Sequence, residues 1–153
     1  MSALVVREAD FSDLEAIVRL YETDTLSSRP DRWSPETQAA YSAAFARIAT
    51  SEDHALFVAE RGGAVVGTLQ ATYVPCLKGT ASARIRLEAV VVDERARSGG
   101  IGAAMVAAAE DWGRARGARF VELSSGERRV DAHRFYARLG YDRTQFGFKK
   151  ELS

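Results

Sequence analysis

The sequence predicts an α+β fold: a mixed, mostly antiparallel sheet with helices packed on it. Two observations carry this. Residues 55–60 and 64–74 are β-type runs separated by Arg61-Gly62-Gly63, a tight hairpin signal, so they should pair antiparallel. A third run, Ala83 to Val92, leads straight into a glycine-rich loop ending at Gly102 and then into a helical pattern that stops at Gly117. The resulting order is β, α, α, β, β, β, α, β, α, β, an antiparallel meander joined to one β-loop-α-β crossover.

Length and composition narrow the class. The 153 residues correspond to one domain spanning 1–153, and 46% hydrophobic with 27% charged residues excludes disordered and fibrous chains. Lys plus Arg (21) equals Asp plus Glu (21), so net charge points to neither nucleic acid nor an anionic membrane as partner. No apolar run approaches the roughly 18 residues of a membrane helix. Met1 to Glu8 lacks the regions of a signal peptide, and a cytoplasmic protein is expected. A single cysteine, Cys76, excludes an intrachain disulfide and argues against a Cys-based zinc site. His54 and His133 have no ligand spacing, so no metal is expected and His133 reads as an exposed helix residue.

Along the chain, Val5 and Val6 belong to a first strand. Ser12-Asp13-Leu14-Glu15 has the form of a capping box, and Leu14, Ile17, Val18 and Tyr21 share one helical face. Residues 23 to 33 lack periodicity and read as a polar loop. A second helix is expected where Ser34 caps and Pro35 opens the first turn, with Ala40, Tyr41, Ala44, Phe45 and Ile48 facing the core. In the third run Ile85, Leu87, Ala89 and Val91 alternate with Arg84, Arg86 and Glu88. Val90 and Val92 then make its far end apolar on both faces, as for a strand buried on both sides. The helix after the loop would bury Ile101, Met105, Ala108, Trp112 and Ala115. Phe120 to Leu123 is another strand, Asp131 caps a short helix ending at Gly140, and residues 141 to 152 close the chain as a last strand or hairpin.

A glycine loop between a strand and a helix start offers free backbone N–H groups and the positive end of the helix dipole, a geometry that suits phosphate. No Lys-Ser or Lys-Thr follows Gly102, which argues against a P-loop nucleotide hydrolase. A dinucleotide fingerprint would put Met105 where a small residue is required. Arg97-Ser98-Gly99-Gly100-Ile101-Gly102 instead resembles the [QR]-x-x-G-x-[GA] loop of the Gcn5-related N-acetyltransferases, the GNAT family. Leu87 to Asp93 is similar to that family's fourth strand, and Ala132-His133-Arg134-Phe135-Tyr136-Ala137-Arg138-Leu139-Gly140-Tyr141 resembles its A-x-x-F-Y-x-x-x-G-[FY] segment. The likeness covers residues 85 to 152; the first 80 residues match in element order only. Glu122-Leu123-Ser124-Ser125 through Arg129, Asp131 to Tyr136 and Phe146-Gly147-Phe148 most resemble small-molecule members, including aminoalkylphosphonate N-acetyltransferases. Gly126 departs from the pattern, since many relatives carry Asn there.

The resemblance implies helices on both sheet faces, acetyl-CoA as co-substrate, and direct transfer of acetyl to the primary amine of a small metabolite in a ternary complex. Arg97, Ser98, Gly99, Gly100, Ile101 and Gly102 would hold the diphosphate, and the pantetheine would run along Val90, Val91 and Val92, with a Val90 backbone N–H polarising the thioester carbonyl. Phe135 and Ser124 would also contact the cofactor, although serine at a strand end often serves as a cap. Glu88 would take the amine's proton directly or through water, or else form an ion pair with Arg84 or Arg86 on its own strand face. Tyr136 would protonate the departing thiolate, or else fill an aromatic core. Arg128, Arg129 and Arg134 would meet adenosine phosphates or form a solvated basic face. Arg29, Arg32 and Trp33, with Arg84 and Arg86, suit an anionic or polar acceptor, and Cys76 reads as a bystander. The resemblance further implies a homodimer. Two rival readings share these residues: a protein or peptide N-acetyltransferase of the same fold, and a non-catalytic acyl-CoA-binding module.

Overall fold

Leu4–Glu8 (β1), His54–Arg61 (β2), Ala64–Val74 (β3), Arg84–Val92 (β4) and Phe120–Leu123 (β5) form one sheet in sequence order, antiparallel throughout except that β4 and β5 run parallel. The structure is a computed structural model and describes residues 2–153. It contains two compact units, Met1–Leu123 and Ser124–Ser153. The first holds the whole sheet together with helices α1 (Leu14–Tyr21), α2 (Gln38–Ala49) and α4 (Ile101–Ala115), and a single turn, α3 (Lys78–Ala81), in which Gly79, Thr80 and Ala81 all have left-handed φ. The second holds helix α5 (Val130–Arg138).

The hairpin between β2 and β3 is a two-residue turn, Gly62-Gly63, with φ of 61° and 79°. Positive φ at both central positions matches the strand twist, and Arg61 pairs directly with Ala64. Successive strand residues point to opposite faces, and this divides the core in two. On one face Leu56 and Val58 pack with Leu14, Ile17 and Val18 of α1 and Phe45 of α2. Each such side chain contributes about 1.5–3 kcal/mol on burial. On the other, Phe57, Leu69, Ala71, Ile85 and Leu87 meet α4, whose buried stripe is Ile101, Met105, Val106, Ala109, Trp112 and Gly113. Contact there is tight: a Cβ at Gly113 would lie 2.4 Å from Ile85 Cγ1. The helix can approach β4 this closely only with a glycine at that point.

Several local expectations are corrected. The cap before α1 is formed by Asp10 and Asp13, not by Ser12 and Glu15. The Ser12 N–H donates to Asp10 Oδ1 at 2.8 Å, and the Asp10 N–H donates to Asp13 Oδ2 at 2.9 Å. A carboxylate is the stronger acceptor, and the resulting turn of 3-10 helix over Phe11–Asp13 moves the α-helix start to Leu14. Ser34 and Pro35 open a turn, with the Thr37 and Gln38 N–H groups both donating to the Ser34 carbonyl, and α2 begins only at Gln38. Ala40 and Ala44 are exposed, so α2 buries Phe45 and half-buries Tyr41 and Ile48. In α4, Ala115 is exposed and Ala108 half-buried, with Val106 and Ala109 in the core instead. Asp131 lies inside the first turn of α5, whose N-cap is Arg129. The far end of β4 is not buried on both sides: Glu88 and Ala89 are exposed and Val90, Val91 and Val92 half-buried.

No strand or helix is formed over residues 141–153 among the described residues, where a last strand was expected. A strand needs a ladder partner, and this segment has none. Phe146, Phe148 and Leu152 are 84%, 96% and 87% exposed. Among the described residues no helix is long and apolar enough to cross a membrane.

Arg7 ties the first helical turn to the sheet. Its guanidinium grips Asp13 with both amino groups, at 2.7 and 3.0 Å, and reaches Glu60 of β2 at 2.8 Å. Arg7 holds the buried Asp13 carboxyl below its ordinary value of 3.8, outweighing the upward push of burial. The folded pKa is therefore the lower one, so this stabilisation is present above 3.8 and disappears as pH falls through the depressed folded value. Asp13→Asn should cost about 1–3 kcal/mol at neutral pH by urea unfolding. The gap between variant and parent should narrow below about pH 4; an equal gap at both pH values would show that the charge is irrelevant.

Candidate active site

Two local departures from regular strand geometry create the site in the first unit. The first lies in the β3–β4 ladder, where Thr68 pairs with Val91 and Gln70 with Glu88, so Leu69 alone faces both Ala89 and Val90. This is a β-bulge, and Ala89 sits at its centre with φ of 50°. The second is the end of the β4–β5 pairing at Leu87 and Leu123. Beyond that point β4 continues to Val92 with β3 on one edge and, among the described residues, no strand on the other. The backbone N–H and C=O groups of the Val90–Val92 stretch on that edge are thus available to an extended ligand.

The strand then enters the glycine loop. Asp93 N–H donates to the Val66 carbonyl at 2.8 Å, and the Asp93 carboxylate accepts from Arg95 N–H at 2.9 Å, fixing a turn of 3-10 helix over Glu94–Ala96. Ser98 and Gly100 both have left-handed φ, 67° and 71°. The first backbone bond of α4 runs from the Ala104 N–H to the Gly100 carbonyl, so the N–H groups of Ile101, Gly102 and Ala103 lie at the open helix end. Left-handed residues interleaved with such N–H groups form a concave anion site, strengthened by the helix dipole. No atom outside the loop's own neighbours lies within 4 Å of a Cβ built at Gly100. A Cβ at Gly99 would lie 3.0 Å from an Arg61 guanidinium nitrogen. The loop thus combines unpaired donors, open space and two cations, Arg97 and Arg61, and these fit a diphosphate. Sequence reasoning missed Arg61, which reads only as the residue before a hairpin; it also missed the bulge at Ala89.

Upstream, β4 carries a charged row. Arg84 Nε lies 2.6 Å from Glu122 Oε1 across the parallel pair, and Arg86 Nε lies 3.4 Å from Glu88 Oε1. The Glu88 side chain is 49% exposed, so Glu88 stands at the bulge as a solvent-facing, ion-paired carboxylate. Cys76 is half-buried and follows Val74, which pairs with Arg84 at the opposite end of β4. Six residue steps along the strand separate Arg84 from Val90, roughly 20 Å.

In the second unit, Tyr136 is half-buried on α5, its ring 5.0 Å from Phe135 and 5.9 Å from Tyr141 in edge-on contacts. Burial pushes its phenol above the ordinary 10.0, partly offset by Arg129. The Tyr136 hydroxyl is therefore protonated at neutral pH. His133 Nε2 lies 2.9 Å from the Gly126 carbonyl oxygen, which also accepts from the Arg129 N–H at 3.0 Å, so His133 closes the turn before α5. Arg134 pairs loosely with Asp131 at 3.6 Å, and Ser124 and Arg128 are exposed. Among the described residues no group of three or more His, Cys, Asp or Glu could hold a metal ion.

Comparison with known proteins supplies the context. A model of the acetyltransferase (GNAT) family matches residues 14–141. An aminoalkylphosphonate N-acetyltransferase of Salmonella typhimurium is 42% identical over 66 residues, 43% of this chain and 43% of that protein. The chain thus spans less than half the length of the curated relatives it matches. A solved structure described as a transcriptional regulator from Bacillus halodurans is 33% identical, with a TM-score of 0.93 over 98% of this chain and 100% of that one. An aminoglycoside N-acetyltransferase in complex with CoA shares the fold at 20% identity, with a TM-score of 0.82 over 99% of this chain and 96% of that one.

The bulge makes its own prediction. A left-handed φ costs a non-glycine residue about 1–2 kcal/mol, most for a branched side chain. Ala89→Gly should therefore change stability by less than about 1 kcal/mol, while Ala89→Val should lose about 2 kcal/mol, as read by chemical denaturation. A loss on glycine with none on valine would mean that residue 89 is ordinary strand.

Proposed function

The chain belongs to the acetyltransferase (GNAT) family, and on that premise we propose that it transfers the acetyl group of acetyl-CoA to the primary amine of a small metabolite by direct transfer in a ternary complex. The observation that carries the reading is the continuity of the one-sided edge of β4 with the anion loop at the start of α4. One edge accommodates an extended chain and the other end a diphosphate, in the order in which acetyl-CoA carries its pantetheine and diphosphate. Acetyl-CoA supplies an activated acyl group when bound.

The residues then divide the remaining work. Backbone groups of Val90, Val91 and Val92 orient the extended arm, and the N–H groups from Ser98 to Gly102, with Arg97 and Arg61, hold the diphosphate. The bulge turns the Val90 N–H out of the ladder, where it can polarise a carbonyl. Glu88 accepts the amine's proton, through water as its exposure favours, and Tyr136 returns a proton to sulfur. Phe135 and Ser124 are held as cofactor contacts on the resemblance of their segments. The distance of Cys76 from Val90 supports transfer without a cysteine-bound intermediate. We also retain a cytoplasmic homodimer, for which the exposed Phe146, Phe148 and Leu152 offer an apolar surface to a second copy.

Acetyl-CoA at a hundredfold excess over its Kd should stabilise the protein by about 2.7 kcal/mol. No thermal shift at saturation would overturn the loop assignment and the reading with it. Tyr136→Phe should lower turnover, followed by thiol release, about ten- to a thousandfold with little change in acetyl-CoA affinity. Acetyl-CoA binding with no turnover of any amine would favour a binding module, and unchanged turnover in Tyr136→Phe and Glu88→Gln would remove both residues from the mechanism. Sedimentation should give the mass of two chains, and a monomer at micromolar concentration would remove the dimer.

A further inference from the structure

A cavity of about 120 Å³ lies between α1, α2 and the sheet, lined by Leu14, Ile17, Ala44, Ile48, Leu56 and Gln70 among others. Tyr21 and Tyr41 contribute the only hydroxyls of this lining. The Tyr21 phenol lies beside the buried Thr68, whose hydroxyl donates to the Phe57 carbonyl at 3.0 Å, and Tyr41 donates to Asp31 Oδ1 at 2.7 Å. Burial pushes the Tyr21 phenol up to about 12, so it carries no charge at physiological pH. The lining is accordingly apolar and neutral.

Its position follows from the ladder register. Leu56 pairs with Gln70, and Gln70 with Glu88, so the three side chains form one cross-strand row on the same sheet face. With adjacent strands about 4.8 Å apart, Gln70 is one step and Leu56 two steps from the carboxylate at the bulge. The Gln70 side-chain amide makes no hydrogen bond among the described residues, so it is available to a polar atom near the mouth. On the basis of the acetyltransferase reading above, we propose that this cavity is the subsite for the non-reacting end of the acceptor, and that it takes the compact, uncharged apolar body of a primary amine whose nitrogen lies at Glu88. A dry cavity of about 150 Å³ holds benzene, so the body suited here is a branched alkyl group of about four or five carbons.

Two measurements test this. The first is binding of isopentylamine to the acetyl-CoA-free protein, read from the methyl resonances of Ile17, Ile48 and Leu56. The second is thiol release with isopentylamine and methylamine in the presence of acetyl-CoA. The cavity methyls should shift on titration, and the KM for isopentylamine should be at least tenfold below that for methylamine. Ala44→Leu places three carbons in the cavity from an exposed helix position, where leucine suits the helix. It should raise the isopentylamine KM relative to that of methylamine at least tenfold. Ile48→Ala should shift preference the opposite way, toward 2-phenylethylamine, which loss of fold does not produce. Unshifted methyls at saturating isopentylamine, or KM ratios equal in parent and both variants, would overturn the proposal while turnover of other amines left the acetyltransferase reading standing. Shifted methyls that Ala44→Leu abolishes, with no thiol release from any amine, would support the cavity as an amine site and overturn the reaction assigned to it.

Discussion

A β-strand has hydrogen-bonding groups on both edges, and burying either edge unpaired is costly. β4 meets this constraint in two different ways along its length. Up to Leu87 it is paired on both sides; from Glu88 onward it is paired on one, and the bulge at Ala89 and Val90 marks the change. The second half needs a partner or solvent along its open edge. Much else in the first unit serves to hold that half-strand in place. β3 pairs with it as far as Val92, and Asp93 anchors its end to Val66. The α4 helix presses on the first half through Gly113. The site is the length of strand at which sheet formation stops.

The same division explains the arrangement of charge. Along β4 up to the bulge the solvent-facing residues neutralise one another, Arg84 with Glu122 and Arg86 with Glu88. From Val90 to Val92 the side chains are apolar, and cations reappear at the loop, where Arg95 pairs with Asp93 and Arg97 and Arg61 flank the anion site. The surface along the strand therefore passes from self-compensated charge, through an apolar stretch, to a positive anion site. A chain with zero formal net charge can present such a gradient because the balance is local as well as global.

Elements whose signals are local were legible in the sequence. The Gly62-Gly63 turn, the strand leading to the glycine loop, the α4 helix with its stop at Gly117 and the short β5 all lie where turn chemistry and periodicity put them. Reading was poorest where two local solutions competed or a partner was distant. Asp10 and Ser12 both offer caps, and the charged acceptor prevails. Ser34-Pro35 starts a turn instead of a helix. The bulge at Ala89 left no trace, because alanine does not announce a positive φ. Residues 141–153 have strand-like composition, yet a strand is a property of a pair. For the site, the loop was legible because glycine is required by backbone geometry at Gly100. The contribution of Arg61 depends on the β2–β3 turn approaching Gly99, a contact 38 positions apart in the chain that no motif records.

The loop between α1 and α2 is polar and irregular, but it is not slack. Trp33 N–H donates to Glu22 Oε1 at 2.6 Å, Thr37 Oγ donates to the Arg32 carbonyl at 2.6 Å, and Tyr41 holds Asp31. Three fastenings in so short a stretch mean that its conformational entropy is surrendered when the chain folds. A molecule arriving beside Tyr41 meets a wall already in place, so selection there acts through shape and desolvation, with little contribution from the ordering of a mobile lid.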